Sequence, residues 1–196
     1  MKEEYLYVEN SLTKSLDETL KQARGKNNMP VHPVPGLPGF GATSTVMAWL
    51  EHNNLPFIRI DAGCLRLQKR EVEVLDWSNL FNMVEGKEAV VVNKIPEPET
   101  VKKTYEYIFD DKQIDLMDNE NTVVFIDDYD FAPLAVRKHL MILLRKLVVR
   151  DLRCVEDNCQ KEIKCLMFIV RAHSPFVSGQ DPYTEEEMQY LGVENL

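Results

Sequence analysis

"PVPGLPGFGATST", residues 33–45, matches the phosphate-binding pattern G-x-x-x-x-G-K-[ST] from Gly36 to Thr43 at every fixed position but one. Ala42 stands where the pattern has lysine. In such a loop, glycines let successive backbone N–H groups turn inward as an anion nest, and the helix that follows adds its positive end. Gly36, Gly39 and Gly41 supply that backbone freedom, with Pro38, Phe40 and Ala42 between and after them. Thr43 falls where a hydroxyl ligates Mg²⁺, and Ser44 follows it. The missing lysine removes a cation and leaves the nest. A lost charge-assisted hydrogen bond costs ~1.5–3 kcal/mol, roughly ten- to a hundredfold in affinity. No Lys or Arg lies between Pro30 and Trp49 to replace it locally. A plain Pro/Gly-rich turn is the alternative reading of the same residues.

The second informative stretch is "VVFIDDYD", residues 123–130, an apolar run ending in two aspartates. A carboxylate at a strand end downstream of a glycine loop is suited to supporting a loop-bound Mg²⁺, with a neighbouring acid orienting water. That assigns the metal to Thr43 and, through water, to Asp127, and the catalytic carboxylate to Asp128. Alternatively, Asp128 or Asp130 only caps the helix that follows.

Around these motifs the chain reads as alternating strands and helices. "SLTKSLDETLKQARGK" puts Leu12, Leu16, Leu20 and Ala23 on one face, with Ser11 as N-cap, so residues 1–28 form an amphipathic helical start. Residues 29–35 are extended, though Pro33 and Pro35 suit a central strand poorly. A helix over 43–54, closed by Asn53 and Asn54, and a strand over 55–62 complete a βαβ opening. "KREVEVLDWSNLFNMVEG" suggests one or two helices, 88–95 a strand, 98–111 a helix, and "DLMDNEN" turns. Tyr105, Tyr107 and Phe109 alternate, which fits a strand or a half-buried helix face. A strand over 122–128, a helix over 131–149 with Pro133 near its start, a strand within 162–175 and one short final helix complete the chain. Strands apolar on both faces imply an α/β fold with a mostly parallel sheet flanked by helices.

With 196 residues, 44% hydrophobic and 28% charged, the chain is of single-domain size and globular composition. No apolar run approaches the ~20 residues of a membrane helix, and the acidic N-terminus lacks a signal's apolar core, so a cytoplasmic protein with no membrane partner is expected. A net charge of −9 disfavours broad nucleic-acid binding. The basic residues of 137–153 read as the exposed face of a helix rather than as a patch. Cys154, Cys159 and Cys165 lack a tight zinc-knuckle spacing; reduced thiols are expected, with Cys165 a buried strand residue. The four histidines are scattered, and none pairs with Cys or Asp at ligand spacing in the sequence.

Residues 29–175 resemble the AAA+ P-loop ATPases, most closely the MoxR-like and phage-type members. "PVHPVPGLPGFGATSTVMAWLEHNNLPFIRIDA" is similar to their Walker A region, "NTVVFIDDYDFAPLAVRKHLMILLRKLVVRD" to their Walker B region, and "CLMFIVRAHSP" to the sensor 1 strand. The resemblance implies a three-layer P-loop NTPase-like domain over 29–196 that takes ATP or ADP with Mg²⁺. Asp128 then replaces the usual glutamate, Ser174 the usual asparagine with His173 beside it, and Arg150 is the one candidate arginine finger. The helical lid of the family is expected to be absent. Three departures at three catalytic positions imply impaired hydrolysis, and a regulatory or assembly role within a homo- or hetero-oligomer or beside a protein partner. Two alternatives stand beside that reading: an interaction protein that binds no nucleotide, and an active ATPase whose lysine is replaced in space, for example by Lys94.

Overall fold

The fold was analysed in a computed structural model of the protein, which describes residues 5–25, 29–37, 39–76, 97–148, 163–173 and 182–193. The main unit is an α/β sandwich around four parallel strands in the order β1-β6-β5-β2. These are β1 (Val31–Pro35), β2 (Phe57–Asp61), β5 (Val123–Asp127) and β6 (Met167–Ala172). The prolines of β1 are tolerated because, among the described residues, it is an edge strand that pairs only with β6, Pro33 opposite Val170.

Strand alternation divides the core into two halves. Val123, Phe125, Met167, Ile169 and Val34 face α1 (Ser11–Gly25) and α2 (Ala42–His52), which contribute Leu16, Leu20, Val46, Trp49 and Leu50. Val124, Ile126, Phe168 and Val170 face the other way, toward α3 (Asp111–Met117), α4 (Leu134–Val148) and α5 (Glu185–Leu191). Central strands β5 and β6 are buried along their whole length, which is why they read as continuous apolar runs.

Several local expectations change. Helix α1 is capped by Asn10 rather than Ser11: Thr13 N donates to Asn10 Oδ1 at 3.0 Å, and Asn10 N donates to Thr13 Oγ1 at 2.9 Å. Segments 68–76 and 99–107 are strands, not helices: β3 (Gln68–Asp76) and β4 (Glu99–Tyr107) pair antiparallel. Val72 and Val74 lie two apart, a spacing that only a strand places on one face, and they join Val101 and Tyr105 there. The Val101, Tyr105, Ile108 spacing that suggests a helix is overridden by cross-strand pairing. This hairpin, Gln68–Tyr107, is a compact unit of its own. Residues 115–117, expected in a turn, end α3, which starts at a capping box formed by Asp110 and Gln113. The expected strand at 88–95 lies outside the described residues.

Cys165 precedes β6 instead of opening it; it is a buried free thiol 3.4 Å from the Met29 sulfur. No helix among the described residues is long and apolar enough to cross a membrane.

Candidate functional site

The parity that buries Val123 and Phe125 against α2 carries on past the apolar part of the strands. Asp127 continues that row on β5, Arg171 continues the Met167–Ile169 row on β6, and Arg59 follows Phe57 on β2. Three charged side chains therefore extend one apolar row at the C-terminal edge of a parallel sheet, the edge where open α/β sheets bind ligands. Helix α2 begins over the same face, so its first turn brings Thr43 to the row.

Asp127 is the centre of this cluster, at 1% exposure. Its Oδ1 accepts from Thr43 Oγ1 at 3.1 Å, from the Asp128 N–H at 3.1 Å and from Arg171 Nη1 at 3.3 Å. Its Oδ2 accepts from Arg59 Nε at 3.1 Å and Nη2 at 2.7 Å. Arg171 also donates to Asp128 Oδ1 at 2.7 Å. Arg171 is buried, whereas the Arg59 side chain is 44% exposed and Asp128 35%. The cluster is thus anchored inside and open on one side.

The glycine loop carries two left-handed residues, an element from which anion nests are built. Gly39 and Gly41 are left-handed, at φ 86° and 76°, while Phe40 between them is not. That alternation of hand turns successive N–H groups to one side. Gly41 enters α2 without a side-chain cap, so the orphan N–H groups of the first turn are not satisfied by a cap there. The Gly36 N–H is used differently: it donates to Ala172 O at 3.1 Å and ties the loop to β6. Phe40 is 80% exposed and Leu37 47%. Ser44 is exposed and lines a shallow recess of about 110 Å³ with Tyr5, Leu6, Val8 and Thr45.

Neither Asp128 nor Asp130 caps α4. Asp128 is left-handed at φ 53°, a conformation that Asp tolerates better than most residues, and its carboxylate turns to Arg171. Asp130, 2% exposed, accepts from the His173 N–H at 2.7 Å and pairs with the His173 ring through Nδ1. Burial pushes the Asp130 carboxyl above its usual range, against the opposing pull of His173. His173 Nε2 lies 3.5 Å from Asp128 Oδ1, and Phe131 packs edge-on against the ring.

No protein-family model matches this chain, and no curated protein matches it. The chemistry has to be argued from the residues themselves. Of the expected site, Gly36, Gly39, Phe40, Gly41, Ala42, Thr43 and Ser44 form one loop and helix start, and Thr43 meets Asp127. Pro38, Ser174, Lys94, Arg150, Cys154 and Cys159 lie outside the described residues.

Sequence reasoning passed over Arg59 and Arg171. For Arg171 a signal was present: it interrupts the otherwise apolar "MFIVRA", and a buried Arg needs a buried acid.

These residues do not fit Mg²⁺. A carboxylate offers about four lone-pair sites, and five N–H or O–H groups already converge on Asp127. A Mg²⁺ on Thr43 that Asp127 holds through water would need a carboxylate oxygen free to accept from that water, and it would enter beside two guanidiniums. Among the described residues, no three His, Cys, Asp or Glu side chains are grouped to hold a metal.

Proposed function

We propose that the chain is an AAA+-like P-loop domain that binds nucleotide phosphates weakly at Gly39–Thr43 and hydrolyses them slowly or not at all. Its work is then conformational, as a regulatory or assembly subunit beside protein partners. The observation that carries this reading is the 3.1 Å hydrogen bond from Thr43 to Asp127. Two residues 84 positions apart, singled out for one site by unrelated motifs, meet at the same sheet edge. The left-handed Gly39 and Gly41 support it, since a plain turn does not require alternating hand. Impaired hydrolysis follows from chemistry: Ala42 carries no charge for the transferred phosphoryl group, and the Asp128 carboxylate is paired with Arg171, which weakens it as a base.

One observation favours a second reading, an interaction protein without nucleotide: Asp127 is already saturated by Arg59 and Arg171. Calorimetric titration with ATPγS and ADP, beside Thr43→Ala and Gly41→Val, separates the two. The first reading expects saturable heat that weakens at least tenfold in Gly41→Val, with no phosphate released from ATP above background. No heat and no thermal shift at millimolar nucleotide sinks it in favour of the second. Steady phosphate release that Thr43→Ala abolishes points instead to an active ATPase.

A further inference from the structure

The cluster on β2, β5 and β6 contains two carboxylates, Asp127 and Asp128, and two guanidiniums, Arg59 and Arg171, so its formal charge is zero with no metal present. Arg59 grips Asp127 with two nitrogens, and Arg171 bridges Asp127 and Asp128. Both arginines therefore lie where a loop-bound Mg²⁺ and the absent lysine would otherwise supply positive charge. Register fixes Arg171 beside the loop: it pairs with Val34 on β1, one residue before Pro35 and two before Gly36. The buried Arg171 guanidinium also keeps one donor, Nε, without an acceptor among the described residues. A buried Arg N–H without a partner is costly, and an anion oxygen is the ligand that would satisfy it.

We propose that Arg59 and Arg171 replace the divalent cation, so that this site takes a di- or triphosphate without metal and excludes Mg²⁺ from Asp127. The proposal rests on the phosphate-binding reading for its ligand and stands apart from it for its metal. Arg59, exposed over nearly half its side chain, is the group free to swing from Asp127 to a phosphate oxygen, while Arg171 stays anchored by Asp128. The selectivity sought is for the phosphate chain shared by inorganic pyrophosphate and ADP. The ratio of their affinities reads whether the nucleoside adds anything.

The experiment has two arms on the full chain. In the first, Mn²⁺ alone is titrated and its free fraction followed by electron paramagnetic resonance. The wild type is expected to retain no Mn²⁺ at millimolar concentration, and Arg59→Gln to gain a single site. Arg59→Gln removes two hydrogen bonds from the buried Asp127, so circular dichroism and the melting temperature check that the variant is folded under the titration conditions. A wild-type site that binds Mn²⁺ and is lost in Asp127→Asn overturns the proposal, whatever nucleotides do. In the second arm, pyrophosphate and ADP are titrated in excess EDTA and again in excess Mg²⁺. Affinities within twofold of each other support the proposal, with Arg171→Lys weakening both ligands roughly tenfold because the fork geometry is lost. A tenfold gain with Mg²⁺ overturns it. If neither ligand binds, the phosphate-binding reading fails, and the Mn²⁺ arm still decides whether the arginines stand in the metal's place.

Discussion

Among the described residues, the charged cluster around Asp127 and the one around Glu187 are separated by one turn of chain and are built differently. The cluster around Asp127 opens to solvent through Arg59 and Asp128 and adjoins a loop of left-handed glycines. The cluster around Glu187 is closed: Tyr129, Arg137 and Glu187 are 0%, 1% and 2% exposed. There the Tyr129 hydroxyl donates to Glu187 Oε1 at 2.8 Å, with Arg137 Nε at 3.5 Å from the same oxygen and its guanidinium over the Tyr183 ring. Burial beside Glu187 pushes the Tyr129 phenol far above its ordinary range, so it stays a donor. Glu187 Oε2 meanwhile accepts from Thr184 N and Oγ1, completing the cap of α5. A closed network, sealed from solvent, holds α5 to α4 and to the 3-10 turn that carries Tyr129. An open network with a spare buried donor can exchange one partner for another.

That contrast predicts opposite consequences for apparently similar substitutions. Glu187→Ala strips a buried partner from Arg137 and Tyr129 and removes the α5 cap, a loss of ~3–5 kcal/mol for a broken buried pair. In a chain of this size that lowers the melting temperature by on the order of 10 °C, measured calorimetrically. Phosphate affinity of the folded protein should stay within twofold. If Glu187→Ala instead spared the melting temperature and weakened pyrophosphate binding, the two clusters would have to be exchanged in role.

Asp127→Asn comes next. It keeps the shape and an acceptor but weakens the charged hydrogen bonds to Arg59 and Arg171, at a cost of about 2 kcal/mol or roughly 5 °C. With its negative charge gone, both guanidiniums are freer for an anion, so pyrophosphate should bind severalfold more tightly in EDTA. A site that works through Mg²⁺ gives the reverse, because the variant loses its metal-supporting carboxylate. The sign of one titration therefore separates the two mechanisms.

How far the sequence carried depends on where side-chain parity was plain. Strands β5 and β6 were legible because both faces are buried and their residues are almost all apolar, and α2 because it follows the glycine loop. The segment 68–76 was misread although Lys69, Glu71 and Glu73 recur every second residue, the strand period, on the face opposite Val72 and Val74. For 99–107, whose spacing also fits a helix, the cross-strand pairing of Val74 with Val101 and Arg70 with Tyr105 decides for a strand, and that pairing is not local information. The loop and the carboxylate were legible as motifs. The arginines were not, since Arg59 and Arg171 are 112 positions apart in the chain and are related only through the sheet order β6-β5-β2.

Within the loop the contrast sharpens further. Gly41 has open space around a would-be Cβ but sits at φ 76°, so Gly41→Ala costs ~1–2 kcal/mol in strain alone and tilts the nest. Gly36 has the same open space and no left-handed backbone, so Gly36→Ala should leave the melting temperature within about 2 °C. Pyrophosphate binding should suffer in the first variant and survive in the second. Equal loss in both would mean that bulk in the loop, not backbone hand, is what the ligand feels.

The smallest effect lies away from the open cluster, where α1 meets β1. His32 Nδ1 is 2.7 Å from Thr19 Oγ1, and burial lowers the ring's affinity for a proton below the ordinary pKa of 6.5. The unfolded chain therefore binds more protons there than the folded one between the lowered value and 6.5, so stability from this residue is complete above 6.5 and lost as pH falls through that window. His32→Gln keeps a polar partner for Thr19 and cannot titrate. The drop in melting temperature between pH 7.5 and pH 5.5 should accordingly be smaller in the variant than in the wild type. Equal drops would mean that His32 does not carry the acid sensitivity of the fold; nor does Asp130, whose carboxyl burial pushes up, so that the folded state takes up the proton first and gains stability as pH falls.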